Sequence, residues 1–288
     1  MQLCKVQLGT GETRVAAVEE GYLHFLDLED YLGMRSLSDI LHADNPLGLA
    51  QSLVEDTGRQ VHLKDVTLLA PVDRQEVWAA GVTYKRSQEA RERESAGAAR
   101  FYDLVYSAPR PELFFKATAG RVVGPGDRVR IRRDSRWSVP EPELALVLSP
   151  RLQVVGFTIG NDVSARDIEG ENPLYLPQAK VYDRSCAIGP VITLRDSMPP
   201  PERVTIRLSI ERRGQAVFEG STRLTEMARP LEDLVSWLGR ENSFPAGAIL
   251  LTGTGIVPPD DFALAAGDLV TIDITSIGRL TNLVEQAG

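Results

Sequence analysis

Glu141 and Glu143 stand two residues apart in Pro140-Glu141-Pro142-Glu143, directly ahead of the apolar run Leu144-Ala145-Leu146-Val147-Leu148. In a strand, residues i and i+2 share one face, roughly 6–7 Å apart at Cα, so the two carboxylates project together while Leu144, Leu146 and Leu148 face the other way. Like charges that close repel, and a desolvated pair requires a cation or a shared proton. A hard divalent ion meets that need, because Mg2+ takes carboxylate oxygens and retains several waters. A third acid, Asp162, ends the strand pattern Val154-Val155-Gly156-Phe157-Thr158-Ile159-Gly160. A hairpin through Ser149-Pro150-Arg151 returns Asp162 to the side of Glu141. Three oxygen donors with coordination positions left open describe a catalytic rather than a structural metal site. An acid-Pro-acid segment is also an ordinary solvated strand entry, and the pair alone does not separate the two.

The surrounding elements must place these acids. Alternation over Leu3 to Leu8, Arg14 to Val18 and Tyr22 to Leu26, with glycine turns between, predicts a small antiparallel sheet. Asn45-Pro46 is a helix cap followed by proline at the first helical position, and Leu47, Leu49, Ala50, Leu53 and Val54 give that helix an apolar side. Pro71 marks a boundary, which divides the chain into a small accessory domain at 1–70 and a catalytic domain at 71–288. Glu76 to Tyr84 reads as a buried strand that ends near the site. Arg86 to Ala99 carries no continuous apolar face and reads as an exposed polar helix. Val204 to Glu211 and Ala216 to Glu219 flank the hairpin turn Arg212-Arg213-Gly214-Gln215. Leu231, Leu234, Val235 and Leu238 follow the helical period after Pro230 and must pack on a sheet. Strands with few helices define a β-rich α+β chain.

Composition narrows the partners. A net charge of −8 argues against a nucleic-acid partner, which calls for a basic face. No apolar run approaches the ~18–20 residues that span a bilayer, and the first residues show no signal-peptide pattern, so the expectation is a cytoplasmic protein. Cys4 and Cys186 are expected as free thiols, and no Cys/His spacing suggests zinc. His24, His42 and His62 all lie near the N-terminus, which leaves the acid-rich region without an imidazole.

Phe114-Phe115-Lys116, Pro140 to Val147, Gly160-Asn161-Asp162-Val163-Ser164-Ala165-Arg166-Asp167, Gln178-Ala179-Lys180, Gly189-Pro190 and Leu251-Thr252-Gly253-Thr254-Gly255 occur in the order of the fumarylacetoacetate hydrolase family. The chain resembles that family from about Val77 to Ile277. The resemblance implies a mixed β-sandwich roll, a homodimer or higher homo-oligomer, and a Mg2+-dependent enzyme of 2-oxo acids, with Mn2+ or Ca2+ as substitutes. It implies Glu141, Glu143 and Asp162 as metal ligands, Lys180 beside them, and Arg166, Thr254, Tyr84 and Lys116 around the substrate. In the same family the region of Arg86 to Ala99 supplies a lid.

A chelated 2-oxo acid has a polarised ketone and acidic C3 protons, so an enolate is the shared intermediate. The groups near C3 and C4 then decide between C–C hydrolysis, decarboxylation, isomerisation and dehydration. Hydrolytic members carry a His near the position of Ser87, and a Ser is a poor water-activating base at neutral pH. Glu112, in Pro111-Glu112-Leu113-Phe114-Phe115, adds an acid that most members lack. Together with Asp167 to Lys180, this resembles the subgroup that dehydrates 2-keto-3-deoxy sugar acids. The expectation is therefore a hydro-lyase that takes such a pentonate to 2,5-dioxopentanoate, with Glu112, Lys180 and Glu169 as proton carriers. A metal-dependent C–C hydrolase, decarboxylase or isomerase of a dioic 2-oxo acid is the alternative, and a non-catalytic sugar-acid binder a third. Glu112 has a plain structural reading too, as a salt bridge to Arg110.

Overall fold

A computed structural model describes residues 1–28, 33–55, 61–85 and 108–286; the segment Arg86 to Ala99, expected as an exposed helix or lid, lies outside them. Its backbone is organised by two sheets. In the larger one, ten strands run in the order Val61–His62, Tyr22–Phe25, Thr13–Glu19, Gln2–Gln7, Cys186–Leu194, Val154–Asp162, Pro142–Leu148, Ala248–Leu251, Glu76–Gly81 and Glu112–Ala117, with two short strands paired beside this path. The second has five strands in the order Gln215–Arg223, Thr205–Arg212, Leu269–Ile274, Gly278–Gln286 and Arg128–Ile131. The β-rich α+β expectation holds.

Alternation explains the layering. Along Pro142–Leu148, Leu144, Leu146 and Leu148 enter the apolar cluster between the sheets, where they meet Ile206, Leu208, Ile272 and Leu280 of the second sheet. Ala145 and Val147 point to the opposite face, into a cluster with Leu37, Ile40, Leu41 and Ala50. Each fully buried Leu contributes about 1.5–3 kcal/mol, so the central strand is fixed from both sides. A one-residue slip would move both sets to the wrong face.

The N-terminal residues belong to the same sheet. Gln2–Gln7 pairs with Cys186–Leu194 on one side and with Thr13–Glu19 on the other. The helices Leu37–Leu41 and Pro46–Ser52 share one apolar cluster with Val147, Ile188 and Ile249. Asn45 caps the second helix as expected, its side chain accepting the Gly48 amide at 3.0 Å. The Arg212–Gln215 hairpin closes through Arg213 at φ 53° and Gly214 at φ 75°, a pair of positive φ values that fits the twist of the flanking strands. No described helix is long and apolar enough to cross a membrane.

The larger sheet is curled. Four strand-to-strand steps separate Val154–Asp162 from Glu112–Ala117, which is about 19 Å in a flat sheet at roughly 4.8 Å per step. Yet Lys116 on the edge strand reaches Asp162. The roll thereby brings that edge back over the strand that carries the third acid.

Candidate active site

Two paired strands assemble the acids. Glu143 lies opposite Gly160 and Pro142 opposite Asn161, and the Asp162 amide donates to the Glu141 carbonyl at 3.0 Å. Glu143 alternates with Ala145 and Val147, so it extends the helix-covered face of the sheet beyond its apolar part. Glu141, Glu143 and Asp162 are buried, and one carboxylate oxygen from each lies within 4.8 Å of the other two. The three acids singled out in the sequence are brought together, Glu143 and Asp162 on paired strands and Glu141 just ahead of the first.

Fixed donors hold each acid. Glu141 accepts from Arg166 Nη2 at 2.6 Å through Oε1 and from Lys180 Nζ at 2.6 Å through Oε2. Asp162 Oδ2 accepts from Lys180 Nζ at 3.3 Å, while its Oδ1 is ion-paired with Lys116 without an aligned hydrogen bond. Glu143 Oε2 accepts the Gly253 amide at 2.5 Å. Burial, then the negative charges of Asp162 and Glu141, push the Glu143 carboxyl well above the usual carboxylate range. Two like charges at about 4 Å repel by about 4 kcal/mol at an effective dielectric near 20, so the set calls for more positive charge than the protein gives Glu143. Three converging carboxylate oxygens suit a hard divalent cation, and the residues present fit one.

Family membership follows from the matching sequence profile. The fumarylacetoacetate (FAA) hydrolase C-terminal profile matches residues 76–285, a span that holds all three acids. The chain belongs to the fumarylacetoacetate hydrolase family. Among relatives within and around it, the chain is 52% identical over 214 residues to a probable 2-keto-3-deoxyxylonate dehydratase of Haloferax volcanii, covering 74% of this chain and 73% of that protein. It is 44% identical over 231 residues to the 2-dehydro-3-deoxy-D-arabinonate dehydratase of Saccharolobus solfataricus, covering 79% and 78%. A solved structure of 2-keto-3-deoxy-D-arabinonate dehydratase complexed with magnesium and 2,5-dioxopentanoate superposes with a TM-score of 0.83 at 37% identity, over 100% of this chain and 99% of that one.

The family's remaining site candidates are placed as follows. Lys180 is buried at the end of the Leu176–Lys180 helix, and its ammonium also donates to Ser164 Oγ at 2.6 Å. The acids that make a buried lysine tolerable do surround it. Arg166 opens the Arg166–Glu171 helix with 1% exposure and turns its guanidinium to Glu141. Glu169, one helical turn on, is buried on the same side. Tyr84 is buried and its hydroxyl is held protonated, by burial first and then by the nearby Glu143 and Glu226 carboxylates.

Thr254 is hydrogen-bonded within its own turn. Its hydroxyl donates to the Ile256 carbonyl at 3.2 Å and accepts the Ile256 amide at 3.1 Å, so it serves its own loop. The carboxylate-binding amide in this turn is that of Gly253, which the sequence reading did not single out. The glycine at φ +91° was the available signal. Ser164, missed as well, is the hydroxyl partner of Lys180.

Glu112 begins the edge strand, opposite Gly81, and is partly buried. It alternates with Phe114, whose ring lies 5.4 Å from Lys180 Nζ, so Glu112 shares the face that looks onto the acids. Arg110, its alternative partner, lies with its guanidinium 4.5 Å over the Trp237 ring.

Proposed function

We propose that this chain is a Mg2+-dependent hydro-lyase that removes water from a 2-keto-3-deoxy pentonate and yields 2,5-dioxopentanoate. The observation that carries the reading is the buried Glu141, Glu143 and Asp162 cluster, with Glu112 on the same sheet face. The likeness to two dehydratases of such sugar acids supports it, as does the structure of one with magnesium and 2,5-dioxopentanoate.

Glu141, Glu143 and Asp162 would hold the cation. When bound, it supplies Lewis acidity that polarises a chelating 2-oxo acid and acidifies the C3 protons. Glu112 takes a proton from C3 and returns one to the C4 hydroxyl as the C4–O bond breaks and water leaves. Loss of a proton from C5 with return of one at C3 turns the resulting 5-hydroxy enone into a C4=C5 enol, and loss of the enol O–H proton with protonation at C4 gives the aldehyde. Lys180 keeps Glu141 and Asp162 in register and offsets the charge of the substrate carboxylate. Glu169 sits where a carboxylate can hold sugar hydroxyls or carry a proton, and the Tyr84 hydroxyl remains a donor. None of the three histidines of the sequence lies on the strands and helices that build the site, which disfavours hydrolysis by an imidazole-activated water.

Turnover by purified protein tests the reading. With 2-keto-3-deoxy pentonates, semialdehyde should appear, stop on chelation and resume with Mg2+. Release of a short oxo acid from a dioic substrate, with no semialdehyde from the pentonates, would replace dehydration by cleavage.

A further inference from the structure

Lys116 is fully buried on the edge strand, at an irregular position. Val77 pairs with Ala117 and Trp78 with Phe115, so Lys116 is an extra residue with no partner opposite it. A bulge of this kind re-aims the inserted side chain. Here it directs the ammonium across the curl of the roll to Asp162.

An ammonium has three N–H donors and no acceptor. Lys116 Nζ meets Asp162 Oδ1, the Val163 carbonyl at 3.0 Å and the Lys180 carbonyl at 2.6 Å. Two donors go to the carbonyls, the ammonium charge lies against Asp162 Oδ1, and the fully buried side chain is enclosed by these partners. Two of them are a metal-ligand candidate and the residue that follows it. The third is the backbone of Lys180, whose own ammonium returns to Asp162 and Glu141. Lys116 therefore ties its own edge strand and the end of the Leu176–Lys180 helix to the segment that carries the Asp162 carboxylate.

We propose that Lys116 is a positioning residue that orients Asp162 for the cation, and not a substrate contact. This rests on the reading of Glu141, Glu143 and Asp162 as the metal site. Charge and orientation make opposite predictions for its removal. Losing a positive charge beside the site would by itself tighten cation binding, whereas losing the orientation of Asp162 weakens it.

The test is calorimetric titration of chelator-stripped protein with Mn2+, alongside steady-state kinetics. Lys116→Met should weaken Mn2+ binding about 10–100-fold, the scale for groups that orient metal ligands. At saturating Mn2+, KM for the pentonate should stay within roughly twofold while kcat falls, since no uniform substrate contact is lost. Lys116→Arg keeps the charge but offers a planar fork in place of three divergent donors, so it should weaken Mn2+ binding as well. It carries the test should Lys116→Met not fold. Unchanged or tighter Mn2+ binding by a folded variant overturns the proposal, as does a tenfold rise in KM with Mn2+ affinity intact. Asp162→Asn separates the two readings. If it binds Mn2+ like the parent, the metal site itself is wrong; if it loses Mn2+ while the Lys116 variants retain it, only the role of Lys116 fails.

Discussion

The Gly253 amide donates to Glu143 Oε2 at 2.5 Å, from a backbone at φ +91° that a residue with a side chain rarely adopts. The turn is clamped on both sides: Thr252 Oγ1 donates to the Leu144 carbonyl at 2.9 Å, and Thr83 Oγ1 to the Thr252 carbonyl at 2.7 Å. A Cβ at Gly253 would overlap Thr83 Oγ1 and approach the Ala80 carbonyl to 3.0 Å. Gly253→Ala should therefore cost about 1–3 kcal/mol, from left-handed strain and displacement of the Thr83 clamp. The same shift moves the amide from Glu143, so Mn2+ affinity should fall with stability. Chemical denaturation and metal titration measure the two losses; a variant with parental values for both would show that the turn does not fix Glu143.

Gly81 and Glu112 offer a separate lever on the proposed proton carrier. A Cβ at Gly81 would overlap the Glu112 carboxylate, the far end of a flexible side chain that must shift to make room. Gly81→Ala should thus leave stability and metal affinity nearly unchanged while lowering kcat, and Glu112→Gln should lower kcat about 10²–10⁴-fold, the range for loss of a general acid or base. Parental turnover by folded Glu112→Gln would remove Glu112 from the mechanism.

Much of this site could be read from short-range pattern. The alternation of Glu143 against Leu144, Leu146 and Leu148 set the face of one acid, the short spacing kept Glu141 beside it, and a tight hairpin supplied the third. Long-range effects were hidden. Lys116 reaches Asp162 across 46 positions of sequence, through a curled sheet and a bulge, and neither leaves a periodic trace. The Cys186–Leu194 strand is buried on both faces and contains Gly189-Pro190, so it shows no alternation and carries a turn signature in its middle. The boundary near Pro71 rests on local punctuation, whereas the pairing of Gln2–Gln7 with Cys186–Leu194 joins residues almost 200 positions apart.

Asp73 should give the N-terminal region an acid-sensitive component of stability. Its carboxylate accepts from Lys5 Nζ at 2.6 Å, the Ser38 amide at 2.9 Å and Ser38 Oγ at 2.5 Å, which ties the first strand to the first helix. Burial opposes the charged form, but these bonds outweigh it and hold the carboxyl below its ordinary 3.8. A depressed carboxyl stabilises above its unfolded pKa, and the contribution is lost as pH falls through the folded value. Asp73→Asn should cost about 1.5–3 kcal/mol near neutrality, the range for hydrogen bonds to a charged group. The gap should shrink as pH drops below about 4. Denaturation of both proteins from pH 7 to pH 3 checks this, and a gap that widens in acid would contradict it.

The two cysteines report on whether the acid-bearing strands open. Cys4 lies in the cluster between the sheets and Cys186 in the cluster on the other face, so the large sheet separates them and both remain thiols. Burial pushes Cys186 up to about 12, reinforced by the Asp162 and Glu143 carboxylates and opposed by the Lys116 ammonium. Burial likewise takes Cys4 to about 12. Only the thiolate is the nucleophile, so both should resist alkylation in the native protein near neutrality and react fully in denaturant. Because Cys186 lies opposite Asp162, its labelling rate measures opening at the site itself. Mass spectrometry after timed iodoacetamide treatment should find Cys186 protected as long as the global fold persists. Rapid native-state labelling of Cys186, with Cys4 still protected, would instead mean that the paired strand ends at Asp162 and Cys186 open on their own, and that the acids are not held as rigidly as their donors require.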